Sequence, residues 1–140
     1  MARAIRIHAN GGPDVLSLDE VSAGTPGPGQ ALIRNAAAGV NFIDIHQRVG
    51  RYPLPALPVT LGMEGAGVVE AVGPGVRSVR PGDRVAYVMG GHGAQPAAYA
   101  DYAVVDAEAL IQLPSEIDAA TAAAMTLKGL TAHYLVYSAF

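Results

Sequence analysis

The segment GVNFIDIHQ, Gly39 to Gln47, sets an amide, Asn41, and a carboxylate, Asp44, among Val40, Phe42, Ile43 and Ile45. A side-chain amide gives a directional hydrogen bond without the desolvation cost of a charge, which suits a dry site. Asp44 follows three residues later, so on a helix it shares a side with Asn41. Two structural readings stand beside the chemical one. Asparagine ahead of an apolar-periodic segment is a helix N-cap signal, and Asp44 could pair with Arg48 at the four-residue spacing. Glycine runs offer less. Gly62-Met63-Glu64-Gly65-Ala66-Gly67 is followed by a β-like run, whereas a dinucleotide loop must open a helix. Gly90-Gly91-His92-Gly93 lacks a following Lys-Ser or Lys-Thr and reads as a flexible loop. His8, His92 and His133 have no spacing that suggests a metal, and none is assigned.

These residues need a scaffold, and 140 residues with 51% apolar content suffice for one globular domain with a core. The net charge of −3 comes with scattered arginines and no basic stripe, which argues against nucleic acid and anionic membranes. Without cysteine there is no disulfide, no thiolate nucleophile and no Cys-ligated zinc. No apolar run of about 18 residues occurs, so neither a signal peptide nor a membrane span is expected. The expectation is a soluble, cytoplasmic protein.

Short β-like segments punctuated by glycine and proline fill the first part of the chain: RAIRIHA, VLSLDEV, QALIRNAAA, GAGVVEAV, DRVAYV, AYADYAVVDA and ALIQLP. Such spacing predicts a barrel or sandwich. SAGTPGPG reads as an exposed turn, as do Gly73-Pro74-Gly75 and Pro81-Gly82-Asp83, the last in type II order. Phe42, Ile45 and Val49 recur three and four apart, which predicts a short helix with that face inward. After Pro114 the alanine- and leucine-rich tail predicts helix in two pieces, broken around Met125, Leu127 and Gly129, with Ser115 or Asp118 capping its start. Its apolar end suggests an absent partner, and with it an oligomer formed through an exposed helix.

Taken in order, GGPDVL, GVNFID, LGMEGAGVVEAVGPGV, PGDRVAY and LKGLTAHYL resemble the medium-chain dehydrogenase/reductase superfamily, most closely its NADPH-dependent quinone oxidoreductases of the zeta-crystallin type. The resemblance implies a mainly β, α+β catalytic domain, a GroES-like partly open barrel over residues 1–125. Residues 126–140 then begin the helix that enters a Rossmann domain, whose first strand lies beyond this sequence. A truncated product, or a nucleotide fold supplied by another chain, is implied, and so is inactivity of these 140 residues alone.

By the same resemblance, zinc-containing relatives carry cysteine where this chain has Asn41 and histidine where it has Met63, so a zinc-independent member is implied. Asn41 and Tyr52 take the catalytic positions beside nicotinamide and a quinone or enone substrate, with Tyr52 stacking on the flat acceptor. Asn41, Asp44, Lys128 and Thr131 take cofactor-facing positions, and Asp44 orients its neighbours. Glu64 is assigned a structural part. His46 stands where close relatives have tyrosine. Packing for Tyr52 and an exposed helical lysine for Lys128 remain the structural alternatives. At the level of function, the alternatives are a non-enzymatic binding or assembly module and an enoyl reductase of the same superfamily.

Overall fold

A computed structural model describes residues 1–89 and 97–139; the Gly90–Gly93 run, His92 and Phe140 lie outside the described residues. Among the described residues, eight strands and two α-helices follow one another. They are β1 (Ala2–Ile7), β2 (Leu16–Val21), β3 (Gln30–Gly39), α1 (Phe42–Arg48), β4 (Val59–Thr60), β5 (Glu64–Val72), β6 (Arg84–Val88), β7 (Tyr102–Asp106), β8 (Leu110–Gln112) and α2 (Ala119–Tyr137). All strand pairs are antiparallel, in two sheets ordered β2-β1-β4 and β7-β3-β5-β6-β8.

Residues 99–101 tie the sheets together. Ile5 N donates to the Tyr99 carbonyl and Asp101 N to the Arg3 carbonyl, while Asn35 N donates to the Asp101 carbonyl. The result is a mainly β fold whose two sheets lean on each other without closing into a barrel, as the partly open form implies. Ile33, Val69, Val85, Tyr87 and Val105 form the main core inside the larger sheet. On that sheet's other face Ala66 and Ala86 meet Ala122 and Ala123 of α2. Small side chains on both surfaces let the helix backbone approach the strands closely.

The turn chemistry matches its expectation. Gly82 has φ +94° after Pro81, and Asp83 N donates to the Arg80 carbonyl at 3.1 Å, as a type II turn requires. GMEGAG opens strand β5 rather than a helix, so no phosphate cradle forms there. β4 has two residues, too few for alternation to show, and was not expected.

Two expectations are corrected. The tail is one helix of 19 residues, not two pieces, because Gly129 in its interior has only open space beside it and nothing displaces the backbone. Its cap is Asp118, whose carboxylate accepts from Thr121 N at 2.7 Å and is held below its ordinary pKa by that bond. The second correction concerns α1. Phe42 is 80% exposed and Ile45 and Val49 are exposed too, while Asp44 and Gln47 are buried. The helix therefore turns its polar stripe inward. It can do so because each of the buried residues Asn41, Asp44 and Gln47 has hydrogen-bond partners inside.

Candidate active site

The pairing of β3 with β5 sets the site's geometry. Gly39 lies opposite Glu64, so Asn41, two residues past the end of β3, comes down beside the first residue of β5. A Cβ on Gly39 would collide with the carbonyl of Ala123 and with Glu64 Oε2, so this glycine allows sheet, carboxylate and α2 to meet.

Asn41 is the N-cap residue of α1. Its own N–H donates to Asp44 Oδ2 at 2.8 Å, the return half of a capping box. Its side chain turns away to other partners. Nδ2 donates to Glu64 Oε2 at 2.8 Å, and Oδ1 accepts from the Lys128 ammonium at 2.8 Å. Asn41 thus serves both as helix cap and as part of a polar cluster.

Glu64 is the centre of that cluster. It is 0% exposed. Besides Asn41 it accepts from the backbone N–H of Leu127 at 2.6 Å, through Oε1, and from Lys128 Nζ at 3.2 Å, through Oε2. Lys128 reaches in from α2 with its side chain 52% exposed, so one end of the ion pair is dry and the other wet.

Asp44 lies behind Asn41 and is buried. Its Oδ2 also accepts from the Tyr99 hydroxyl at 2.8 Å. Burial raises its pKa above the ordinary carboxylate value, against the lowering effect of the Asn41 and Tyr99 hydrogen bonds and with a smaller raising effect from Glu64. Burial and the Asp44 carboxylate likewise hold the Tyr99 phenol well above its ordinary value. Among the described residues no ion pair joins Asp44 to Arg48.

The structure therefore brings Asn41, Asp44 and Lys128 together. Tyr52 and Thr131 make no hydrogen bond to that cluster. Tyr52 is half exposed, its ring edge-on to His46 at 5.2 Å. Thr131 lies one turn beyond Lys128 on α2, exposed, with Oγ1 donating to the Leu127 carbonyl at 2.8 Å. On the outward side of α1, away from its buried polar stripe, Phe42, Ile45 and Val49 leave an apolar surface. Sequence reasoning missed Tyr99 and gave Glu64 only a structural part. The one available signal was a carboxylate at the head of an apolar strand, since such a group must find donors.

Among the described residues no three His, Cys, Asp or Glu side chains converge as a metal site. At the position where zinc-containing relatives would have ligands, Asn41 Oδ1 already accepts from an ammonium, and Met63 Sδ accepts from Gln47 Nε2 at 3.6 Å. An amide and a thioether beside a lysine do not make a zinc donor set.

Residues 27–115 match the alcohol dehydrogenase GroES-like domain family. A quinone oxidoreductase of Pseudomonas aeruginosa is 48% identical over 136 residues, which is 97% of this chain and 41% of that protein. The crystal structure of a quinone oxidoreductase from Pseudomonas syringae pv. Tomato DC3000 superposes with a TM-score of 0.92 at 44% identity, over 100% of this chain and 42% of the other. The Escherichia coli quinone oxidoreductase in complex with NADPH gives 0.91 at 40% identity, over 99% of this chain and 41% of the other. This chain thus spans about two fifths of the length of these relatives. No helix among the described residues is long and apolar enough to cross a membrane. With the motif order, the family match and the fold in agreement, the chain belongs to the GroES-like domain family of the medium-chain dehydrogenase/reductase superfamily.

Proposed function

We propose that this chain is the catalytic-domain part of a zinc-independent, cytoplasmic NADPH:quinone oxidoreductase, residues 1–125 forming the catalytic domain and 126–140 leading toward a nucleotide-binding one. The observation that carries the reading is the Asn41–Glu64–Lys128 cluster. NADPH, when bound, supplies the hydride.

The chain's own residues hold and orient. Asn41 has one side-chain N–H beyond the one given to Glu64, and Lys128 has one beyond its bonds to Asn41 and Glu64. These donors suit oxygen acceptors on the cofactor or the substrate. Thr131 adds a hydroxyl on the same helix. Asp44, being buried, acts through Asn41 by fixing its backbone. The half-exposed Tyr52 ring stacks on a flat quinone. A quinone is already a good hydride acceptor, so alignment matters more than a Lewis acid, and no side chain need act as nucleophile.

The test joins this chain to a complete nucleotide-binding half and follows NADPH oxidation with a series of quinones and enones. Asn41→Ala and Tyr52→Ala should each lose activity, and wild-type rates in both would remove them from the site. The 140 residues alone should not turn over. A preference for enoyl thioesters over quinones would move the substrate class to that of an enoyl reductase.

A second reading, an assembly module, draws on the exposed Tyr134, Val136 and Tyr137 at the far end of α2. Light scattering on the purified chain separates the two. A defined oligomer without cofactor affinity favours assembly.

A further inference from the structure

We propose that Glu64, so far only a structural residue, is a positioning residue that presents Asn41 and Lys128 to the ligand, an inference that rests on the site reading above. At 0% exposure it cannot touch a ligand itself. Its influence runs through the groups that bond to it, and these come from separate elements: Asn41 at the head of α1, and Leu127 and Lys128 on α2.

A carboxylate only accepts hydrogen bonds, and this fixes the cluster's polarity. With Nδ2 turned to Glu64 Oε2, the Asn41 amide puts Oδ1 on the lysine ammonium. The flipped amide would oppose oxygen to carboxylate and N–H to ammonium, so both ends reject it. The same carboxylate anchors Lys128 Nζ, whose long stem is otherwise free to sample solvent, and takes the N–H of Leu127 next to it. Glu64 thereby sets Asn41 and Lys128 in one relative arrangement, each keeping a donor for an oxygen of the ligand. Glutamine at this position offers one oxygen and one NH2 group to the same converging donors. At least one donor must then face another donor, and the arrangement loosens.

The test has two parts. In the ¹⁵N-labelled chain as it stands, hydrogen exchange is followed at the Asn41 side-chain amide and at Leu127 N–H. Glu64→Gln should speed Asn41 side-chain exchange by about tenfold or more and shift the Leu127 resonance. Should Glu64→Gln fail to fold, Lys128→Met, altered at a half-exposed residue, should likewise speed Asn41 exchange because Oδ1 loses its partner. Unchanged Asn41 exchange in the folded variant overturns the proposal.

In the protein completed by its nucleotide-binding half, Glu64→Gln should lower kcat/KM on the order of 10- to 100-fold, as a misplaced contact does, yet by less than about threefold in a background that carries both Asn41→Ala and Lys128→Met. A residue serving only the fold would cost the same in both backgrounds, and that result also overturns the proposal. If the completed wild-type protein reduces none of the quinones or enones with NADPH, the reductase reading falls, while the exchange experiment still decides whether Glu64 positions its neighbours.

Discussion

Glu64 and Lys128 form one ion pair, yet removing either partner should have very different costs. Lys128 is 52% exposed on its side chain, so its share is that of a surface pair, screened by water and worth at most about 1 kcal/mol. Lys128→Met keeps most of the stem and should cost no more than that. Glu64 is 0% exposed and accepts from the Leu127 N–H, the Asn41 amide and Lys128. Glu64→Ala leaves buried donors unsatisfied, at about 1–3 kcal/mol each, and opens a cavity besides. The sum of unsatisfied donors and cavity is about 3–5 kcal/mol. For a chain of this size that is a fall in Tm of roughly 10–20 °C, against a few degrees for Lys128→Met. Urea unfolding followed by circular dichroism reads both, provided the m-values agree. Equal losses in the two variants would show that the pair's Coulomb attraction, and not the buried acceptor, holds the cluster. Glu64→Ala within about 1 kcal/mol of the parent would show that water replaces the carboxylate without cost.

The inverted helix α1 predicts that Phe42→Ser changes stability by less than about 0.5 kcal/mol, since that ring is 80% exposed; a loss of about 3 kcal/mol or more in urea unfolding would return Phe42 to the core. Gly82→Ala should cost about 1–2 kcal/mol purely from its φ of +94°, because nothing lies within 4 Å of the added methyl, and Gly75→Ala at +82° should match it in the same assay. Asp44 has a raised pKa, so the folded state binds its proton more tightly; its contribution is present below the ordinary carboxylate range and is lost as pH rises through the folded value. Asp44→Asn should therefore gain on the parent in urea midpoints as pH rises above the ordinary carboxylate range, and a gap that does not vary with pH would contradict the assignment. Zinc added to the chain should leave Tm within about 1 °C of its starting value, and a rise that grows with zinc concentration would reveal a donor set not evident in these side chains.

The strands were legible because alternation and glycine or proline punctuation are local signals; QALIRNAAA and GAGVVEAV pair as β3 and β5 nearly to the residue. Asn41 was legible as an amide set in an apolar run and as a helix cap, whereas its cofactor-facing place and that of Lys128 came only through the family resemblance. Helix α1 was found, but its orientation was not. Asn41, Asp44 and Gln47 repeat at three just as Phe42, Ile45 and Val49 repeat at three and four, so periodicity yields two opposed stripes and no rule for which is inside. The choice was made by Glu64, Tyr99 and Met63, partners remote in the chain. For the same reason Glu64 could not be read as more than a strand residue: its side-chain partners lie 23 residues before it and 64 after it. The expected break in the tail failed for a local reason. A glycine in a helix lowers propensity by about 1 kcal/mol, which is too little to interrupt a helix anchored on the sheet by Ala122 and Ala123.

The Asn41–Glu64–Lys128 cluster suits the zinc-independent reading proposed for this chain. A divalent ion needs deprotonated ligands and brings two positive charges to a buried site. Here Lys128 brings one, held by a single buried carboxylate and by the carbonyl of an amide. The Glu64–Lys128 pair is neutral as a unit, so the neighbouring ligands need carry no charge, and an amide at position 41 and a thioether at 63 are what such a site tolerates. Replacing Asn41 with cysteine alone would set a thiol where the ammonium has lost its acceptor, and replacing Met63 with histidine alone would offer an imidazole without a second ligand. Neither single step makes a zinc site. The chemistry proposed for the site has the same logic, because hydride transfer to a quinone asks for hydrogen-bond donors in fixed places more than for a strong local charge.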